Sequence, residues 1–379
     1  MSCITFQQYV YVVSMMIICV FLRYSEANCS FQAIFNFGDS NSDTGSMPMS
    51  SPNGMTYFKK PAGRSCDGRL IIDFLAQALG LPSPNPYSQS SGGGGADYTH
   101  GANFASQGAT VKPPDSSNKD WVSKYYLPIQ LNQMKTFASS ISKGDSSRSS
   151  NLPSADILGK SLYVIYIGQN DVTGVLGSAG VGGVKQNLPQ VANEIVNTVK
   201  ELYGLGGRTF MVLNTGPMGC YPAFLVQYPH GDSDVDQAGC MTSYNNAVSE
   251  FNQMLKGALF GARQQLPDAN LVYVDTYSAL LNIFQNPSSH GLKYSTTTCC
   301  GAGGGAYNFN PQVMCGKSGT VNGSSVTASA CGDPYNYISW DGVHTTEAAN
   351  KIVANAIVSG YYTEPAFDLH KFCDVQPIG

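Results

Sequence analysis

The chain has 379 residues, enough to bury a sizeable core in one large domain or two ordinary ones. Hydrophobic residues make up 42% and charged residues only 12%, with 21 Lys and Arg against 25 Asp and Glu for a net charge of −4. No cluster of basic residues accompanies that balance, which argues against nucleic acid or an anionic membrane as the main partner.

The first stretch, MSCITFQQYVYVVSMMIICVFLRYSEA, is apolar from about residue 10 to 22 and ends with the small residues Ser25 and Ala27 at the spacing of a cleavage site. It predicts a secretory signal over 1–27 and a mature chain over 28–379. No Lys or Arg precedes the apolar run, so a retained membrane anchor is the rival reading. A second apolar run long enough to span a bilayer is not found in the sequence.

AIFNF, at 33–37, is a short apolar run that ends at a glycine, the pattern of a buried parallel strand. RLIIDFLAQALG then sets Leu70, Ile71, Phe74, Leu75 and Ala78 at helical spacing, with Gly80 and Pro82 as stop signals. The Ser- and Gly-rich stretch 88–95 reads as a loop. SLYVIYIG, at 161–168, is a second buried strand, followed by a helix with Val191, Ile195, Val199 and Leu202 on one face. RTFMVLN (208–214) and NLVYVDT (270–276) are a third and a fourth strand. Between them a long helix near 241–265 aligns Val248, Phe251, Leu255 and Leu259. A last helix carries Ile352, Val353, Ala356 and Ile357. Strands alternating with helices predict a parallel sheet covered on both faces, in one α/β domain with long loops after its strands. Ligands bind such sheets beyond the carboxyl ends of the strands.

That rule separates three copies of one tripeptide. Gly38-Asp39-Ser40 directly follows the first buried strand, whereas Gly144-Asp145-Ser146 and Gly231-Asp232-Ser233 lie in polar stretches. Ser40 is the candidate nucleophile. A serine hydroxyl needs a base to take its proton, and the base needs an acid to orient it. Among five histidines, His344 in SWDGVHTTEAAN stands three residues after Asp341, close enough for the carboxylate to hold the imidazole. In isolation Asp-x-x-His also reads as a helix-start cap, and Gly-Asp-Ser as a turn. Two further segments supply candidate oxyanion donors. Gly108, in GANFASQGAT, offers a backbone N–H after a short strand-like segment, and Asn170, in YIGQNDVTG, offers a side-chain amide just beyond a strand.

FGDSNSDTG, NFASQGA, YIGQND and DGVH, in that order, resemble the plant GDSL esterase/lipase family of the SGNH hydrolase superfamily. GRSCDGRLIIDFLAQALGLP and CCGAGGGAYNFNPQVMCG are similar to it as well, so the likeness covers nearly all of the chain after the signal. Within the family, FNFGDSNSDTG is most similar to the group of early nodulins, latex esterases and proteins once described as α-fucosidases. The resemblance implies a three-layer α/β/α sandwich with a flavodoxin-like parallel sheet. It implies Ser40 as nucleophile, Asp341 and His344 as acid and base, and Ser40, Gly108 and Asn170 as oxyanion donors. No metal or organic cofactor is implied. The sequence departs from the family at Gln107 and at Ser65-Cys66, which makes Cys66 the expected unpaired thiol.

The expected function is a secreted carboxylester hydrolase working through an acyl-enzyme, located in the cell wall or apoplast. Its substrate is an acetylated wall polysaccharide or a short acyl or lipid ester. An acyltransferase would use the same acyl-enzyme. A glycosidase of the α-fucosidase kind would need two flanking carboxylates, for which Asp39 and Asp171 are available, but it leaves the triad unexplained. A non-catalytic carbohydrate-binding relative leaves every filled site position unexplained. Of 11 cysteines, nine follow the signal, so at least one is unpaired or bridges another chain. Bridges are expected between Cys220 and Cys240 and within the group Cys299, Cys300, Cys315 and Cys331. Asn28-Cys-Ser and Asn322-Gly-Ser are glycosylation sequons if the chain is secreted.

Overall fold

The computed structural model describes residues 29–87, 96–114, 122–142 and 151–379. The proposed signal, Asn28, the 88–95 stretch and the tripeptide at Ser146 lie outside the described residues. Five parallel strands and one antiparallel edge strand form the main sheet. In chain order they are β1 (Ala33–Gly38), β2 (Gly101–Asn103), β3 (Ser161–Tyr166), β4 (Thr209–Leu213) and β5 (Asn270–Val274), with the short edge strand Thr363–Glu364. Spatially the five run β2-β1-β3-β4-β5, the flavodoxin-like order, with the edge strand beyond β5. The reason is visible in the residues: β1, β3 and β4 are buried along their whole length, as strands covered by helices on both faces must be.

The longer helices among the described residues are α1 (Ile71–Ala78), α2 (Leu127–Ser142), α3 (Gln169–Ala179), α4 (Pro189–Gly204), α5 (Thr242–Arg263), α6 (Thr276–Gln285) and α7 (Glu347–Val358). The apolar faces expected of α4 and α5 are the buried ones, with Val191, Ile195, Val199 and Leu202 on one and Val248, Phe251, Leu255 and Leu259 on the other. Phe35 and Phe37 point into the core from β1 with no exposed surface, and each contributes about 2–3 kcal/mol by leaving water.

Between α6 and α7 the chain leaves the layered pattern. It forms β6 (Tyr294–Thr298), a hairpin of β7 (Ser318–Val321) and β8 (Ser324–Thr327), and β9 (Tyr337–Ser339), which pairs in parallel with β6. Asn322 and Gly323 turn the hairpin with positive φ values of 49° and 78°, the Asn-Gly signature of a tight reversal. Disulfides Cys299–Cys331 and Cys300–Cys315 staple this insert, and their sulfurs pack around the buried Trp340. Cys220 and Cys240 are bridged as expected, and Cys66 is free and buried. A fourth bridge, Cys29–Cys373, ties the start of the described chain to its end and was not foreseen from the sequence.

Candidate active site

Ser40 stands two residues beyond β1, at the carboxyl end of the sheet. Gly38 makes that position possible, because a Cβ there would lie 2.3 Å from the carbonyl oxygen of Tyr166 and 2.4 Å from Ser42 Oγ. The side-chain amide of Gln130, from α2, reads the Gly38 peptide in both directions. Gly38 N–H donates to Gln130 Oε1 at 2.9 Å, and Gln130 Nε2 donates to the Gly38 carbonyl at 2.8 Å. Nearby, Asn36 Nδ2 donates to Asn103 Oδ1 at 2.7 Å, and both side chains donate to the carbonyl of Ser42. Two polar residues inside buried strands thus hold the turn that carries Ser40.

Asp341 and His344 come from the turn between β9 and α7. His344 Nε2 lies 2.8 Å from Ser40 Oγ, and His344 Nδ1 lies 2.7 Å from Asp341 Oδ2. The other carboxylate oxygen of Asp341 accepts from the backbone N–H groups of Val343 (3.0 Å) and His344 (2.9 Å). With Asp341 ionised, Nδ1 carries the proton and Nε2 is left to accept from the serine hydroxyl. Burial alone would push the His344 pKa down, but the Asp341 charge and hydrogen bond outweigh it and raise it above the usual value. Burial likewise pulls Asp341 upward, and the imidazole reverses the shift, leaving its carboxyl below the usual range.

The turn is held from three directions. Cys300 N–H donates to the carbonyl of Trp340 at 2.6 Å, and Trp340 N–H donates to the carbonyl of His344 at 2.8 Å. The Trp340 indole donates to Asn53 Oδ1 at 2.9 Å. At the start of α7, Glu347 is buried against Arg69, accepting from its backbone N–H, Nε and Nη2 at 2.7 to 3.1 Å. Glu347 N–H in turn donates to Asp67 at 2.7 Å.

The candidate oxyanion donors follow the ends of three neighbouring strands, with Ser40 after β1, Gly108 after β2 and Asn170 after β3. Gly108 has φ +74°, which lets the backbone turn there without a side chain in the way. Asn170 sits in the first turn of α3, and its Nδ2 donates to the carbonyl of Ala109 at 2.8 Å. One amide hydrogen is thereby fixed, which orients the second. Gly168, just before α3, has φ +120°, and a Cβ there would press on the Phe251 ring at 3.2 Å, so α5 also shapes this turn.

The two carboxyls weighed for glycosidic chemistry are differently placed. Asp39 is buried beside Ser40; desolvation pushes it up to about 6, against the hydrogen bonds it accepts from Asn41. Asp171 is desolvated to about 7, and its oxygens accept the N–H groups of Val111 (2.8 Å) and Lys112 (3.3 Å). One oxygen of Asp39 and both oxygens of Asp171 are engaged with backbone of the site itself, while Asp39 Oδ2 is buried without a hydrogen-bond partner. Ser233 is exposed in a short helical turn and is far in sequence and setting from any of these groups. Gln130, Trp340 and the Arg69 pair with Glu347 were not singled out from the sequence, since each acts through a partner distant along the chain.

An α/β/α sheet with a serine, a histidine and an aspartate in hydrogen-bonded sequence at its carboxyl edge defines a class of protein suited to acyl transfer. The family model described as GDSL-like Lipase/Acylhydrolase matches residues 34–357, and the chain belongs to that family; it is a hydrolase acting on ester bonds. A GDSL esterase/lipase of Arabidopsis thaliana is 48% identical over 372 residues, covering 95% of this chain and 97% of its own. Alpha-L-fucosidase 3 of the same plant is 38% identical over 343 residues, covering 88% and 91%. Among solved structures, an acetylxylan esterase mutant of Geobacillus stearothermophilus is 13% identical with a TM-score of 0.37, covering 89% of this chain and 95% of its own. That likeness is too slight to bear on chemistry.

Proposed function

We propose that the chain is a secreted serine carboxylester hydrolase, with a signal over 1–27 and one hydrolase domain over 28–379. Ser40 Oγ attacks the ester carbonyl while His344 Nε2 takes its proton. The resulting oxyanion is held by the N–H groups of Ser40 and Gly108 and by Asn170 Nδ2. The tetrahedral adduct collapses, the alkoxy group leaves with the proton from His344, and an acyl-Ser40 remains. Water then repeats the sequence and releases the acid. Asp341 keeps the imidazole in the useful tautomer and stabilises its cation. The observation that carries this reading is the pair of contacts at His344, 2.8 Å to Ser40 Oγ and 2.7 Å to Asp341 Oδ2.

The ester's acid side is a small acyl group or a lipid chain, and its alcohol side a wall polysaccharide or a simple alcohol. Low charge favours a neutral substrate over nucleic acid. Secretion is supported by the four disulfides, and glycosylation by Asn322, which is exposed at the hairpin tip. The glycosidase reading is disfavoured because both oxygens of Asp171 are bound to backbone and because it leaves the contacts of Ser40, His344 and Asp341 without a role. An acyltransferase remains the other outcome of the same acyl-enzyme.

An organophosphonate ester should label the wild type, Ser146→Ala and Ser233→Ala but not Ser40→Ala, and ester hydrolysis should vanish with the label. Labelling that survives in Ser40→Ala defeats the assignment. Acetate release from acetylated xylan, set against hydrolysis of long-chain esters and transfer to an added alcohol, assigns the substrate class.

A further inference from the structure

The segment after the nucleophile reads Asn41-Ser42-Asp43, and its side chains leave the turn in two directions. Asn41 Nδ2 donates to Asp39 Oδ1 at 2.9 Å and to Gln169 Oε1 at 3.3 Å. Gln169 is buried at the start of α3, next to Asn170. Asp43 is buried as well. Its Oδ1 accepts the N–H groups of Gly45 (2.8 Å) and Ser46 (2.7 Å). Its Oδ2 accepts from Ser46 Oγ and from the N–H of Gln107 at 2.8 Å, the residue before Gly108.

Other contacts join the two donor segments to each other: Asn170 to the Ala109 carbonyl, and Asp171 to the amides of Val111 and Lys112. Those bonds hold α3 against the loop after β2, but they do not set either against Ser40. Asn41 and Asp43 do, because both leave from the turn on which Ser40 stands. An oxyanion site works only when its donors face the place where charge develops, and a displacement of about 1 Å costs roughly 10² in rate. Resting on the ester-hydrolase site proposed above, we infer that Asn41 and Asp43 are positioning residues for its oxyanion donors, Asn41 acting through Asn170 and Asp43 through Gly108.

The chemistry of each residue fits that work. Asn41 needs a donor that reaches a carboxylate and an amide oxygen at once, and a primary amide has two hydrogens to give. Asp43 needs acceptors on both sides. In Asp43→Asn one side must present an NH₂ to a backbone N–H, whichever way the amide turns.

The test is a double-mutant cycle on the full-length secreted protein, with p-nitrophenyl acetate as probe and melting temperature measured on each preparation. Asn41→Ala and Asp43→Asn should each lower kcat by about tenfold to 10²-fold with KM little changed, because the neutral ester gains little from the donors. Asn41→Ala should add almost nothing in an Asn170→Ala background, since the group it positions is gone. Asp43→Asn should still lower kcat there. Gln169→Met removes only the link from Asn41 to α3 and should behave like Asn41→Ala; it carries the test if Asn41→Ala does not fold. Asp43→Glu, which moves the acceptor by one methylene, serves likewise for Asp43→Asn. Losses of Asn41→Ala and Asn170→Ala that multiply overturn the inference for Asn41. Variants that melt lower while their folded fraction keeps wild-type kcat overturn it for either residue. An Asn170→Ala enzyme with unchanged kcat overturns the site reading itself, a result distinct from both.

Discussion

The two halves of the candidate site are held by different physics. Ser40 and the donor segments hang from β1, β2 and β3, whose residues are buried and paired strand to strand. The core fixes the strands they follow, and short side-chain bonds finish the placement of the loops. Asp341 and His344 sit on a turn outside the main sheet, at the end of β9. That turn is fixed by bonds to the Cys299 and Cys300 backbone, by the Trp340 indole and by the buried pair of Arg69 with Glu347. In the proposed site, the nucleophile is built on the core and the acid–base pair on cross-links.

The two halves should therefore fail separately when their supports are removed. Removing Cys300–Cys315 with serines at both positions should cost about 3 kcal/mol of stability by the loop-entropy estimate for a loop of that length. It should also lower kcat by about 10², because the unstapled insert holds the N–H at position 300 less firmly against the Trp340 carbonyl, and so His344 less well in register. Serines at Cys29 and Cys373 are the contrast. That bridge joins chain positions 344 residues apart and lies before the start of β1, at the other end of that strand from Ser40, so stability should fall by up to about 5 kcal/mol with kcat preserved. Melting temperature and kcat measured together read both outcomes. Equal kcat losses in the two variants would mean that the insert has no special hold on the catalytic turn.

A smaller effect is expected on the nucleophile's side. Asp39 belongs to the nucleophile half, yet its charge favours the protonated form of His344. Asp39→Asn keeps an oxygen for Asn41 and removes that charge. His344 must be neutral to act as base, so activity falls as the pH drops through its pKa. The acidic limb should therefore shift to lower pH in Asp39→Asn, with kcat at high pH little altered. A limb that stays in place would show that Asp39 serves the turn and not the imidazole.

The sequence carried the nucleophile half more fully than the acid–base half, for a physical reason. Parallel strands buried on both faces are continuous apolar runs, so β1, β3, β4 and β5 stand out, and Ser40, Gly108 and Asn170 are placed by the strands they follow. Asp341 and His344 were legible as residues three apart, but what holds them was not. Arg69 and Glu347 are 278 residues apart, and Trp340 and Asn53 are 287 apart. No local period records such pairs. Helix α2 was missed because its buried face includes Gln130 and Gln133, which blur the apolar stripe. Gln130 is polar because it serves the Gly38 peptide. The Asn322-Gly323 dipeptide opens a sequon and also announces the hairpin it turns.

The most direct test of the account is the rate at which an organophosphonate labels Ser40 across pH, since that rate requires the nucleophile and its base to meet. The second-order rate constant should rise with pH as a single proton leaves, with its midpoint above the ordinary histidine value of about 6.5, as the raised His344 pKa requires. In His344→Ala the rise should disappear. A labelling rate that does not change with pH, or one that keeps its rise without His344, would contradict the assignment of Ser40, His344 and Asp341 to one catalytic unit.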